Sequence, residues 1–167
     1  MQKNSKDEQN GIINLGTVTS NGKTGQQWIK GLGAAVHGTW ARDVLNSEEF
    51  NPTDGVTSQV VVLKGTLWND SDRLSKNIYT KAEKIQFEKP NAEIAGLIMK
   101  KFSEKIKVLG LNRIIVMSNP IRDCSERVAS LLCIEISNNG LLLTADFAQR
   151  GDGWRRDDGF AFEIREE

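Results

Sequence analysis

The chain has 167 residues, in which 22 lysines and arginines balance 22 aspartates and glutamates, with one histidine and two cysteines. A chain of this length buries about 70% of the surface that its unfolded form exposes, so it can form a core without metal ions or disulfide bonds. The zero net charge disfavours nucleic acid as a partner. One histidine and two isolated cysteines, Cys124 and Cys133, exclude a zinc cluster and a disulfide framework.

The N-terminus and the lengths of the apolar stretches indicate where in the cell the protein is expected. No stretch approaches about 18 consecutive apolar residues, and the N-terminus lacks the apolar core of a signal peptide. We therefore expect a soluble, cytoplasmic protein with no membrane partner. Residues 1–10 are polar after Met1 and cannot offset the entropy lost on ordering, which predicts a disordered tail before a single domain over 11–167.

The first half of the chain is interpreted mainly as helical. Residues 11–18 predict a short edge strand, and the apolar spacing over 24–46 predicts helix, whole or in two pieces. Residues 56–68 are ambiguous, because three consecutive valines favour a strand whereas the spacing of the apolar residues also fits a helix. We favour the helix, since the apolar stripe extends back to Val56.

The second half combines one helix with several strands. The clearest helix begins at Pro90 and ends before Gly110. Four strands are predicted over 112–118, 130–137, 140–147 and 159–165, and Asn138–Gly140 is typical of a hairpin turn. The order of elements indicates an α+β protein, with N-terminal helices packed on a mainly antiparallel C-terminal sheet.

Catalytic and cofactor motifs are sparse. Gly22–Thr24 is similar to the end of a phosphate-binding loop, but its spacing to the preceding glycine is wrong, so we predict no cofactor. His37 lies within the predicted first helix and needs an acidic partner to act in catalysis, which sequence alone does not provide. Cys133 is interpreted as a small buried apolar residue of a strand.

The loop before the last strand is the most unusual segment, because it concentrates the residue types found at binding hot spots. The candidate ligand-binding residues are Asp146, Gln149, Arg150, Asp152, Trp154, Arg155, Arg156, Asp157 and Asp158. Two interpretations stay open. Either glycines display Trp154 and the arginines outward, or Trp154 folds back on the core while the arginine and aspartate side chains neutralise one another.

Short motifs in this chain carry a resemblance to known families. A resemblance to a family of uncharacterised bacterial proteins is carried by Pro52–Thr57, Val62–Gly65, Lys89–Asn91, Glu93, Trp154 and Gly159–Phe162. The ending is also similar to that of C-type-lectin-fold variable proteins of diversity-generating retroelements. This resemblance implies a C-type-lectin-like fold in which Trp154, Gly159 and Phe160 belong to the scaffold. It implies ligand contacts at Asp146, Gln149, Arg150, Asp152, Arg155, Asp157 and Asp158.

We therefore expect a non-catalytic module that binds a protein or a small-molecule ligand through its C-terminal loop. One alternative is a small hydrolase-type enzyme that uses His37 with a carboxylate. Another is a sequestering protein of bacterial defence or anti-defence. The chain lacks the calcium-dependent lectins' Glu-Pro-Asn motif, so the resemblance does not imply sugar binding by that route.

Overall fold

The computed structural model of the protein describes residues 8–122 and 128–165. Within these residues the fold is α+β, with five helices and one eight-stranded mixed sheet. The strands are β1 Glu8–Gln9, β2 Ile12–Asn21, β3 Asp54–Lys64, β4 Arg113–Val116, β5 Ile121–Arg122, β6 Ala129–Ser137, β7 Gly140–Phe147 and β8 Asp158–Arg165. The helices are α1 Gly25–Leu32, α2 Gly38–Leu45, α3 Ser75–Lys84, α4 Ile94–Lys101 and α5 Ser103–Lys107.

The last strand lies in the middle of the sheet. β8 pairs antiparallel with β3 and parallel with β4, and β3 continues through β2 to β1. On the other side, β4 and β5 pair along one edge of β6, and β7 pairs along its opposite edge. The end of the loop before β8 is therefore delivered to the centre of the sheet rather than to its periphery.

The sheet separates two apolar cores. Side chains at alternate positions of a strand point to opposite faces, so Val60 and Val62 of β3 enter one core while Val61 and Leu63 enter the other. The first core holds residues of α1, α2, α4 and α5, and we call this the helix-covered face. The second core holds α3 together with Trp154 and Ala148, and we call this the loop-covered face.

Several predicted elements are confirmed. A strand occupies residues 12–21, the first helical region is divided into α1 and α2, and β6 and β7 form the predicted hairpin. Thr24 caps α1, because its hydroxyl accepts a hydrogen bond from Gln27 N while the Gln27 side chain accepts one from Thr24 N. The Gly22–Thr24 segment is thus a turn and a helix start.

The prediction of a helix over 56–68 is wrong, since residues 54–64 form β3. A strand buried on both faces is apolar at consecutive positions, and such a run also matches a helical stripe by coincidence. The predicted α+β class and the mainly antiparallel sheet are confirmed, although β2 and β3 place strands from the first half of the chain in the same sheet. Glu8 and Gln9, assigned to the disordered tail, pair with β2.

α3 was not predicted, because its sequence carries few apolar anchors. Only Ile78 and Ala82 among its apolar side chains are fully buried, one turn apart on the face toward the sheet. None of the helices in the described ranges is long and apolar enough to span a membrane.

Candidate recognition site

A groove opens on the loop-covered face, beside the N-terminal end of α3. Its volume is about 500 Å³, and we call it the α3 groove. It is lined by Leu74, Ser75, Lys76, Tyr79, Pro120, Ala148, Gln149, Arg150 and Gly151. The lining thus comes from the start of α3, the turn that follows β4 and the first residues after β7. Three segments distant in sequence meet there.

Trp154 lies inside the protein, with only 3% of its surface exposed. Its indole Nε1 donates to Ser75 Oγ at 2.9 Å, and its backbone N donates to the Arg73 carbonyl at 2.8 Å. Its ring meets Phe160 edge-on, with centroids 6.2 Å apart. The interpretation that Trp154 is displayed outward as a contact residue is therefore wrong. This position stabilises the indole because it offers apolar contacts to the ring and a hydrogen-bond acceptor to Nε1.

Arginine and aspartate side chains around Trp154 form one hydrogen-bonded network. The Arg113 guanidinium donates from Nε and Nη2 to both oxygens of Asp158, at 3.2 and 3.1 Å, and from Nη1 to Asp146 Oδ2 at 3.0 Å. Arg150 donates to the same Asp146 oxygen at 3.1 Å and to both oxygens of Asp152, at 3.3 and 3.2 Å. Asp158 is fully buried. Asp146 and Asp158, both predicted ligand contacts, therefore brace the loop from within.

The two guanidinium groups also lie against the indole. The Cζ atoms of Arg113 and Arg150 are 5.6 and 5.5 Å from the centre of the Trp154 ring, within the range of cation–π attraction. Burial alone would lower the pKa of Arg113, but its hydrogen bonds and attraction to Asp158 and Asp146 outweigh burial and raise it. The hydrogen bonds from Arg150 lower the pKa of Asp152. Arg113 thus stays charged beside the indole.

A third arginine, Arg73, is buried and holds the far end of the loop. Arg73 donates to the carbonyls of Gly65, Trp68 and Trp154, at 2.9, 3.1 and 3.3 Å, and to Asp70 Oδ1 at 2.9 Å. Gly65 lies so close to the loop that a Cβ there would be 2.6 Å from the Arg155 carbonyl oxygen. Residues 150–158 are therefore fastened at several points, which gives the groove a stiff wall.

The predicted ligand-binding residues are not brought to one surface. Gln149 and Arg150 line the α3 groove. Arg156 and Asp157 instead line a second depression of about 340 Å³ with Lys64, Thr66, Gly110 and Leu111. Asp152 and Arg155 are exposed and line neither the groove nor the depression. Of the nine predicted residues, only Gln149 and Arg150 therefore belong to the larger cavity.

Tyr79 forms an apolar wall of the α3 groove. Its hydroxyl donates to the Ser118 carbonyl at 2.7 Å, and its ring meets Phe162 edge-on. Burial raises the pKa of Tyr79. The Lys89 ammonium lies 4.6 Å from the centre of the ring. The ring is held in one orientation, and its phenol stays protonated across the neutral range.

The histidine and the described cysteine, which were considered as possible catalytic residues, do not line this groove. His37 is exposed at the start of α2, and its backbone N donates to the Leu143 carbonyl at 2.9 Å. Among the residues described, no carboxylate is recorded in a hydrogen bond or ion pair with the His37 imidazole. Cys133 is buried in β6 as predicted, and burial raises its pKa. Cys124 lies outside the described residues.

The groove also contains residues that the sequence did not single out. Leu74, Lys76 and Tyr79 come from the unpredicted α3, and Arg113 braces the loop from a strand 45 residues before Asp158. The signal that the sequence offered is Lys76 close to Leu74 and Tyr79, a mixture of charged and apolar side chains over a short stretch that forms an amphipathic helix. Over residues 8–122 and 128–165, no cluster of three potential metal ligands occurs.

Comparison of the chain with protein-family models, with curated proteins and with solved structures finds no match. The resemblance to retroelement variable proteins and the C-type-lectin-like fold stay predictions. The scaffold positions that this resemblance implies, Trp154, Gly159 and Phe160, are all buried.

Proposed function

We propose that the protein is a non-catalytic binding module that takes a small-molecule ligand in the α3 groove. The observation that carries this proposal is the groove itself. Its volume of about 500 Å³ lies within the range of about 300–1,000 Å³ that small-molecule sites occupy. Its lining combines apolar side chains with a few polar groups that can orient a ligand.

The stiffness of the walls supports the same proposal. Binding costs less when the site is already ordered, because little side-chain and loop entropy is lost on association. Here the loop is fastened through Trp154, Arg113 and Arg73, and Tyr79 is held by Ser118. Ser75 links the two walls, because its hydroxyl donates to the Ala148 carbonyl and accepts from Trp154.

Arg150 and Gln149 are the loop residues that we propose as ligand contacts. Gln149 is exposed and Arg150 is half-buried at the edge of the groove. Trp154, Asp146 and Asp158 are proposed as supports that hold this wall. The enzyme alternative gains no support from the described part of the chain, where His37 has no recorded acidic partner.

The proposal is tested by screening a mixed library of small fragments against ¹⁵N-labelled full-length protein and mapping the shifted amide resonances. We expect shifts that cluster at residues 74–79 and 148–151. Gly151→Leu should weaken them, because Gly151 lines the groove, and the protein accommodates the larger side chain since a Cβ there meets no atom within 4 Å. The matched control is Gly31→Leu on α1, where a Cβ also meets nothing within 4 Å.

Three outcomes would contradict the proposal. Fragments could shift no resonance of the groove. They could shift residues of the second depression, such as Lys64 and Arg156, in preference to the groove. Alternatively, Gly151→Leu and Gly31→Leu could bind the fragments equally well.

A further inference from the structure

The charge of the groove lining is one-sided. Lys76 and Arg150 line it, and none of its nine lining residues is an aspartate or glutamate. The whole chain has zero net charge, so this imbalance is a property of the groove and not of the composition. A cavity lined by one sign of charge favours ligands of the opposite sign.

The two cations of the lining differ in their availability. Arg150 is bonded to Asp146 and Asp152, so much of its charge is compensated. Lys76 is exposed on the first turn of α3 and lines the groove. Lys76 is therefore the residue whose charge a ligand at this site meets most directly.

A further cation lies near the lining, and the carboxylates of Asp146 and Asp152 are paired with Arg150. Lys89 lies over the ring of Tyr79. Leu74 provides no side-chain cap for α3, and the first turn of this helix has no acidic residue. The helix dipole therefore adds a partial positive charge to that of Lys76 at the same wall.

The rest of the lining favours a flat apolar body. The ring of Tyr79 and the side chains of Leu74, Pro120 and Ala148 form the uncharged part of the surface. An aromatic ring can pack against Tyr79 in an edge-on or offset arrangement. The exposed amide of Gln149 can donate a hydrogen bond to a carboxylate oxygen.

Building on the proposed function, we infer that the ligand class of the α3 groove is a small organic anion with a flat apolar body, typified by an aromatic carboxylate. The anion lies toward Lys76 and Gln149, and the apolar body lies against Tyr79, Leu74 and Pro120. The inference concerns the sign of the ligand charge, which the proposed function leaves open.

Three molecules of nearly equal shape test the sign directly: benzoate, benzamide and benzamidine, which are anionic, neutral and cationic. Each is titrated into the full chain, and the amide shifts of residues 74–79 and 148–151 are followed. We expect benzoate to bind about two- to fivefold more tightly than benzamide, the size of effect that one partly exposed ion pair produces. Benzamidine should bind most weakly, and added salt should weaken benzoate alone.

Substitution of one lysine locates the charge that selects the anion. Lys76→Gln should remove the preference of the groove for benzoate over benzamide while leaving benzamide binding in place. Lys84→Gln is the matched control, because Lys84 is exposed on the same helix, does not line the groove and changes the net charge equally. If the two variants lose the preference for benzoate over benzamide equally, the electrostatic field of the whole protein is responsible and the inference fails.

The inference also fails if benzamide or benzamidine binds at least as tightly as benzoate, or if none of the three shifts the groove resonances. The proposed function is judged separately, by whether any fragment of the mixed library maps to the groove. A library hit that is neutral or cationic, with no benzoate binding, would therefore preserve the proposed function and overturn the anionic ligand class.

Discussion

The helix-covered face of the sheet is packed helix against strand and helix against helix, whereas the loop-covered face is completed by a loop. On the first face, α1 touches its neighbours so closely that a Cβ at Gly25 would lie 1.7 Å from the Leu45 carbonyl oxygen. A Cβ at Gly96 of α4 would likewise lie 2.6 Å from the Trp28 ring. Such contacts leave no space for a ligand between α1 and these neighbours.

The loop-covered face is held by directed bonds in place of close helix packing. One helix, α3, covers part of it, and residues 148–158 cover the next part through Trp154 and its arginine neighbours. The space between the helix and the loop remains as the α3 groove. The candidate site therefore lies where the sheet is covered by a loop held by hydrogen bonds and not by a helix.

The largest expected effect comes from removing the residue on which that loop depends. Trp154→Ala should lower the free energy of unfolding by about 3–5 kcal/mol, measured by urea denaturation, because it deletes a buried aromatic side chain. Trp154→Phe keeps a ring but loses the Nε1 hydrogen bond to Ser75. We expect it to lower the free energy of unfolding by about 1–3 kcal/mol, because the hydrogen bond is lost and the smaller ring fills the site incompletely. Losses below about 1 kcal/mol for the alanine variant would mean that the loop is not anchored through the indole.

An intermediate effect is expected on the helix-covered face. Gly25→Ala should destabilise the protein by about 1–3 kcal/mol, since the added methyl group meets a backbone carbonyl that cannot rotate away. Gly31→Ala lies on the same helix, meets nothing within 4 Å, and should be neutral or stabilising by up to about 1 kcal/mol. Thermal or urea unfolding of both variants gives the comparison. Equal effects of the two substitutions would contradict the close packing of α1.

The helix-covered face was the more predictable of the two. Apolar spacing located α1, α2 and the region of α4, because a helix packed on a sheet repeats its buried positions every three or four residues. The β6–β7 hairpin was also predictable, since its turn residues are adjacent in sequence. The central strand β3 was not, because a strand buried on both faces has no alternation.

The groove could be located only in part. Sequence pointed to residues 148–158 by their composition, and Gln149 and Arg150 do line the cavity. The sequence left the direction of Trp154 open between outward display and packing on the core, because it depends on Ser75 and Arg113, which are 79 and 41 positions away in the chain. Long-range pairing of this kind leaves no local pattern, so the opposite wall in α3 was missed altogether.

The smallest expected effect is electrostatic and lies at the rim of the loop. Hydrogen bonds from Arg150 hold the pKa of Asp152 below the usual range for an aspartate. Because the pKa is lower in the folded state, this ion pair favours folding above the pKa of the unfolded chain. The contribution is lost as the pH falls through the folded value.

Arg150→Gln should therefore raise the pKa of Asp152 toward that of a free aspartate, as followed by the ¹³C shift of its carboxyl carbon during an acid titration. Arg156→Gln removes a charge from the same loop without contacting Asp152 and serves as the control. A depressed Asp152 pKa that persists in Arg150→Gln would show that this arginine does not hold the Asp152 carboxylate. An equal rise in both variants would mean that the loop responds to its total charge and not to the bidentate pair.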